Sequence, residues 1–228
     1  MVNILIFRTD RIGDLLITCP AIISIKNKLK NSKITIITSN KNYNYAKNLN
    51  IFDRVIEFPL NNIFARINLI KKLNKEKFDY VFIFDGKKRS ILTSIFINSK
   101  NKVALFTNNK KNIFFKIINI KFFEDNENTN LNTIFQNMIN YCKIDAKVEN
   151  YDFLNNKKNN NFSNNILVKN YIHFHLDEKW FSNLYIHSYK DINPNYDEFL
   201  DFVKVITKKN HLLITTGIIN LNLIEKLK

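Results

Sequence analysis

The stretch Asn3–Ser39, NILIFRTDRIGDLLITCPAIISIKNKLKNSKITIITS, decides the fold class. It opens on a short apolar run, Asn3–Thr9, of the kind buried on both faces of a parallel sheet. A helical segment follows over about Gly13–Leu29, with Leu15, Leu16, Ala21, Ile22 and Ile25 on one side. Pro20 inside it predicts either a kink or the start of the regular helix. A second apolar run, Lys33–Thr38, completes a strand–helix–strand unit. That unit is the building block of a doubly wound α/β fold.

The rhythm continues outward. Tyr43–Leu49 reads as a short helix and Arg54–Phe58 as a third strand. Asn62–Lys75 carries Ile63, Ile67, Ile70 and Leu73 at helical spacing. Tyr80–Phe84 predicts a fourth strand, Ser90–Ile97 a helix, Lys102–Phe106 a fifth strand and Asn130–Tyr141 another helix. Residues 1–150 are therefore expected to form a Rossmann-like domain with helices on both faces of a parallel sheet. Residues 151–165 include NNKKNNNFSNN, a polar low-complexity stretch that reads as a linker or exposed loop. The rhythm restarts over 166–228, with strand Ile166–His175, helix Asn195–Lys208, strand His211–Thr216 and a helix from about Asn220. Two clear strands do not complete a parallel-sheet domain. This second Rossmann-like domain is expected to be partial.

The composition of the 228 residues, 45% hydrophobic and 24% charged, is that of a globular protein. Met1–Phe7 is too short, and too soon followed by Arg8, Asp10 and Arg11, to be a secretory signal. No run approaches the roughly 18 apolar residues of a membrane span. A cytoplasmic location is expected, with peripheral contact at the inner membrane face. The net charge of +15 comes mostly from lysine. It reads either as a solvated surface or as attraction to phosphates of a nucleotide or of anionic lipid. The chain has no arginine-rich stripe or recognisable module, so nucleic acid is not an expected partner. Basic Asn62–Lys75 and aromatic Ile113–Phe123 (IFFKIINIKFF) are candidates to rest on an anionic bilayer, although the aromatics could equally be core. The two cysteines, Cys19 and Cys142, lie in apolar patterns and are expected to be buried thiols. With His175 and His211 they make no zinc signature, and no metal site is expected.

The chain has only three glycines, and each follows a predicted strand. Gly13 stands in DRIGD, Gly86 in FDGKKRS and Gly217 in TTG. The C-terminal edge of parallel strands is where open α/β sheets bind ligands. Glycine also simply permits tight turns. Polar neighbours favour the binding reading: Asp10, Arg11 and Asp14 beside Gly13; Asp85, Lys87, Arg89 and Ser90 beside Gly86; Thr215 and Thr216 beside Gly217. Asp14 sits near a helix N-terminus, where a carboxylate is favoured. It suits general-base work at a crevice, or it is an ordinary helix-start aspartate. The segment lacks the spacing of a dinucleotide-binding loop.

The opening residues resemble glycosyltransferase family 9, the ADP-heptose:lipopolysaccharide heptosyltransferases. The shared elements are Arg8, Asp10–Asp14, Thr18, Pro20, Ala21, Ile22 and Ile34–Ser39. Gly86–Ser90 (GKKRS) and YIHFHLDEKW, at Tyr171–Trp180, resemble two further family segments. The resemblance implies a GT-B fold and inverting transfer of a sugar, heptose in that family. The donor would be a nucleotide sugar such as ADP-heptose and the acceptor a lipid-linked saccharide. No cofactor or required metal is implied. Asp14 maps to the proposed catalytic base. Asp10, Arg11, Gly13, Asp85, Gly86, Arg89 and Ser90 fall on the acceptor side. Lys179 maps to the lysine that contacts donor phosphate, with Thr216 and Gly217 nearby. Asp85 directly precedes Gly86, whereas the family places its aspartate three residues before. Family members also continue beyond Lys228 with donor-binding segments, so the alternative is a shortened, non-catalytic relative that binds acceptor or a partner enzyme.

Overall fold

A computed structural model describes residues 1–107, 119–125, 129–148, 171–176 and 196–216. The chain divides into two compact units, Met1–Asn155 and Asn156–Lys228.

The first unit is built on a six-stranded parallel sheet: β1 (Val2–Arg8), β2 (Ser32–Thr38), β3 (Arg54–Glu57), β4 (Tyr80–Ile83), β5 (Asn101–Thr107) and β6 (Lys121–Asp125). Their spatial order is β3-β2-β1-β4-β5-β6. The order reverses at β1, which pairs with β2 on one side and β4 on the other. This is the switch point at which such sheets open a crevice.

Two apolar layers hold the helices. Helices α1 (Ile12–Lys28), α2 (Asn40–Asn48) and α5 (Leu131–Tyr141) cover one face of the sheet. There Leu15, Cys19, Ile22, Ala46, Phe135 and Met138 pack on Ile4, Ile6, Phe82 and Phe84. Helices α3 (Ile63–Asn74) and α4 (Lys88–Ile95) cover the other face. There Leu69, Leu73 and Ile91 pack on Leu5, Phe7, Val81 and Ile83. Alternate residues of β1 thus serve opposite layers, as strand geometry requires. Helix α1 runs through Pro20, whose carbonyl accepts from Ser24 Oγ at 2.8 Å. Cys19 and Cys142 are free and buried, and burial pushes both thiols up to about 12.

Two features differ from the sequence expectation. The sheet has a sixth strand, β6, which begins within the aromatic segment and runs past its end; residues 113–118 of that segment lie outside the described residues. Phe122 and Phe123 turn to opposite layers, against Phe106 and Tyr141. Five residues with only two apolar positions give too short an alternation to read in advance. In α3, the spacing of Ile63, Ile67, Ile70 and Leu73 suggested a single apolar side. The helix buries Leu69 and Leu73 and leaves Ile63 and Ile67 exposed.

In the second unit β7 (Tyr171–Leu176) and β8 (His211–Thr216) pair in parallel, joined through a segment that includes α6 (Tyr196–Thr207). Phe199 of α6 is buried and meets Phe174 of β7 at 6.0 Å between ring centres.

Candidate functional site

A cleft of about 520 Å³ opens beyond the C-terminal ends of β1, β2 and β4. The β1–α1 turn contributes Thr9, Asp10, Arg11 and Asp14, and the start of α2 contributes Ser39, Asn40 and Lys41. Leu60 comes from the β3–α3 loop, and Asp85, Lys87 and Arg89 come from the β4–α4 turn.

At its base lies Arg8, the last residue of β1, whose side chain is 4% exposed. A charge this deep must be held by several partners. Its Nε donates to the Asp14 carbonyl at 2.9 Å, and Nη1 donates to the Phe84 carbonyl. Its η nitrogens also lie 3.3 Å from an Asp10 carboxyl oxygen and 3.9 Å from Asp14 Oδ1. One guanidinium therefore joins the end of β4, the turn after β1 and the first turn of α1.

Three carboxyl groups surround this cation in unlike settings. Asp85 is saturated: Oδ2 accepts from Thr9 N at 3.0 Å, Thr9 Oγ1 at 2.7 Å and Ser90 Oγ at 2.6 Å, and Oδ1 accepts from Lys87 N at 3.1 Å. It clamps the two turns together. Asp14 is the third residue of α1, its side chain 42% exposed. Oδ2 accepts from Arg11 N at 3.2 Å, so the carboxylate caps the helix while facing the cleft. Asp10 is mostly buried, and its Oδ1 is buried with no hydrogen-bond partner among the described residues. Burial pushes its carboxyl up to about 6; Arg8 opposes that rise, while Asp14 and Asp85 add to it.

The remaining contacts fix the rim. Arg89 donates to the Thr9 carbonyl at 2.7 Å and to Thr9 Oγ1 at 3.2 Å. Ser39 Oγ contacts the Asp10 carbonyl at 2.8 Å, and Asn42 Nδ2 donates to the Arg8 carbonyl at 2.9 Å. Gly86 has φ 57°, the left-handed region in which glycine avoids the cost of a Cβ. Gly13 differs: its φ is not positive, and a Cβ there would meet nothing within 4 Å. Neither backbone nor packing requires glycine at position 13. Among the described residues no three His, Cys, Asp or Glu side chains are grouped to hold a metal ion.

No protein-family model matches the sequence, and no curated protein matches it. Solved structures do. The Escherichia coli heptosyltransferase WaaC with ADP superposes with a TM-score of 0.64 at 13% identity, over 95% of this chain and 68% of that one. A family 9 glycosyltransferase from Veillonella parvula gives 0.67 at 12% identity, over 99% and 65%. E. coli ADP-heptose lipopolysaccharide heptosyltransferase II gives 0.65 at 9% identity, over 100% and 68%. The chain has the fold of the family 9 glycosyltransferases. It spans about two thirds of the length of these heptosyltransferases.

Within this glycosyltransferase fold, Asp10, Arg11, Asp14, Asp85 and Arg89 line one cleft, with Gly13 in the first turn of α1 and Gly86 in the β4–α4 turn. Ser90 lies beneath the cleft, fully buried, with its hydroxyl on Asp85. Thr216 ends β8 in the second unit, while Lys179 and Gly217 lie outside the described residues. Sequence reasoning passed over Arg8, Thr9, Lys41 and Asn42 as site residues. Arg8 had a signal, a charge closing an apolar strand. Ser39 and Asn42 had another, because Ser-x-x-Asn before a helix is a capping pattern.

Proposed function

We propose that this protein is an inverting glycosyltransferase that moves a sugar from a nucleotide-sugar donor to a lipid-linked saccharide acceptor of the lipopolysaccharide type. The observation that carries the reading is Asp14. It is a part-exposed carboxylate on the cleft of a heptosyltransferase fold, with its backbone carbonyl held by buried Arg8. Asp14 takes the proton of the acceptor hydroxyl as that oxygen attacks the anomeric carbon. The bond from that carbon to the diphosphate breaks, and the nucleoside diphosphate leaves with the electron pair. Attack opposite the leaving group inverts the anomeric centre.

Asp10, Arg11, Asp85 and Arg89 then belong to the acceptor side, with Gly13 leaving room for it. Arg11, Lys41, Lys87 and Arg89 make the rim basic, which suits an acceptor bearing phosphate or carboxylate groups. Lys179, Thr216 and Gly217 are assigned to donor phosphate, where a cation stabilises the charge developing on the leaving group. A nucleotide-sugar donor is also supported by WaaC, solved with ADP and with ADP-2-deoxy-2-fluoro heptose. ADP-heptose is the first donor to test.

Two variants separate the assigned roles in a steady-state kinetic assay. Asp14→Asn keeps shape but cannot take the proton, and lowers kcat by about 10²–10⁴-fold with little change in KM for the acceptor. Lys179→Ala raises KM for the donor and lowers kcat together. Wild-type turnover in Asp14→Asn at saturating substrates would reduce Asp14 to a helix cap and move the base elsewhere.

A further inference from the structure

Helices α3 and α4 pack on the same sheet face through Leu69, Leu73 and Ile91, and their outer sides remain strongly apolar. Ile63 is 66% exposed, Phe64 75% and Ile67 44% on α3. Leu92 of α4 and Phe96, which directly follows that helix, are 56% and 64% exposed. The helices lie side by side at their C-terminal ends, where Asn74 Nδ2 donates to the Phe96 carbonyl at 2.8 Å and Asn74 Oδ1 accepts from Asn98 N at 2.7 Å. On a helix, residues four apart share a side. Ile63, Ile67 and Lys71 therefore form one outward stripe, and Lys88, Leu92 and Phe96 another, with both lysines exposed. Lysine stems lie along apolar surface while their ammonium groups reach polar surroundings. Neither α3 nor α4 carries an acidic residue.

This surface adjoins the cleft. Leu60 lines the cleft three residues before α3 begins, and Lys87 and Arg89 line it at the start of α4. Whatever the apolar face rests on therefore lies beside the cleft mouth.

We propose that the outer side of α3 and α4 is a docking surface for an anionic lipid bilayer, with Ile63, Phe64, Ile67, Leu92 and Phe96 entering the headgroup boundary. Charge selects this occupant. Apolar side chains among lysines, with no acidic residue between them, complement a negatively charged interface. A second copy would set the same lysines against each other, in a chain of net charge +15. The proposal rests on the lipid-linked acceptor proposed above and specifies how the cleft reaches it.

Co-sedimentation of the full chain with vesicles tests it without any sugar donor, so its failure is separate from failure of the transferase reading. Wild type should bind phosphatidylcholine vesicles containing 30% phosphatidylglycerol at least about tenfold more tightly than phosphatidylcholine alone, and less tightly as salt rises. The variant Ile63→Ser/Phe64→Ser/Ile67→Ser should lose that binding while keeping the wild-type Tm. Lys71→Glu/Lys72→Glu should weaken it by about tenfold or more. Equal binding to both vesicle types, or wild-type binding by the serine variant, overturns the proposal. So does a dimer in sedimentation velocity that the serine variant abolishes.

Discussion

Asp10 costs the folded state stability at neutral pH, and replacing it with asparagine should return some of that stability. Its carboxyl has one buried, unpartnered oxygen and an ordinary value of 3.8 raised to about 6 by burial. The folded chain holds this proton more tightly than the unfolded chain. The associated stability is fully present below about pH 4 and is lost as the pH rises through about 6. At about 1.36 kcal/mol per tenfold, the difference is at most about 3 kcal/mol. Asp10 borders an open cleft, so solvent screening reduces this to roughly 1–2 kcal/mol. Asp10→Asn should match wild type near pH 4 and exceed it by that amount at pH 7.5. For a chain of this size the gain is roughly 2–8 °C in Tm. Thermal melts of both proteins at the two pH values read the difference directly. If Asp10→Asn is instead less stable at pH 7.5 than at pH 4, relative to wild type, then the Arg8–Asp10 pair outweighs burial and Asp10 stabilises the fold.

Two further substitutions probe the turns around the cleft. Gly13→Ala should fold and gain up to about 1 kcal/mol, because position 13 is helical and open; if the space serves the acceptor, KM for the acceptor rises in the same protein, and a loss of stability in a denaturant titration contradicts the geometry. Asp85→Ala removes the acceptor of four hydrogen bonds, two of them from Thr9. It should cost roughly 2–4 kcal/mol in urea unfolding, and a cost below about 0.5 kcal/mol would show that the clamp is dispensable.

The sheet was legible because its central strands are buried on both faces. Asn3–Thr9 and Lys33–Thr38 are continuous apolar runs, and they form β1 and β2 within a residue or so. The turn residues Asp10, Asp14, Asp85 and Arg89 were legible as polar groups at strand ends. Their division of labour was not. Saturated Asp85, half-exposed Asp14 and underpartnered Asp10 are all aspartates in sequence, and only long-range contacts with Thr9, Ser90 and Arg8 separate them. Edge strand β6 was missed because charged Lys121 and Glu124, exposed at the sheet edge, interrupt the apolar signal. The exposed side of α3 was misread for a related reason. Helical spacing shows that apolar residues share a side, and only packing shows which side meets the sheet.

Mass spectrometry of the acceptor tests sugar transfer with Asp14 as the base. Purified protein would be incubated with a panel of nucleotide sugars including ADP-heptose and with a lipopolysaccharide inner-core acceptor. One donor should add the mass of one sugar residue to the acceptor, and Asp14→Asn, with an unchanged melting curve, should slow that addition by about 10²–10⁴-fold. An acceptor that gains no mass from any donor would rule out sugar transfer, and one that gains it at the same rate with Asp14→Asn would rule out Asp14 as the base.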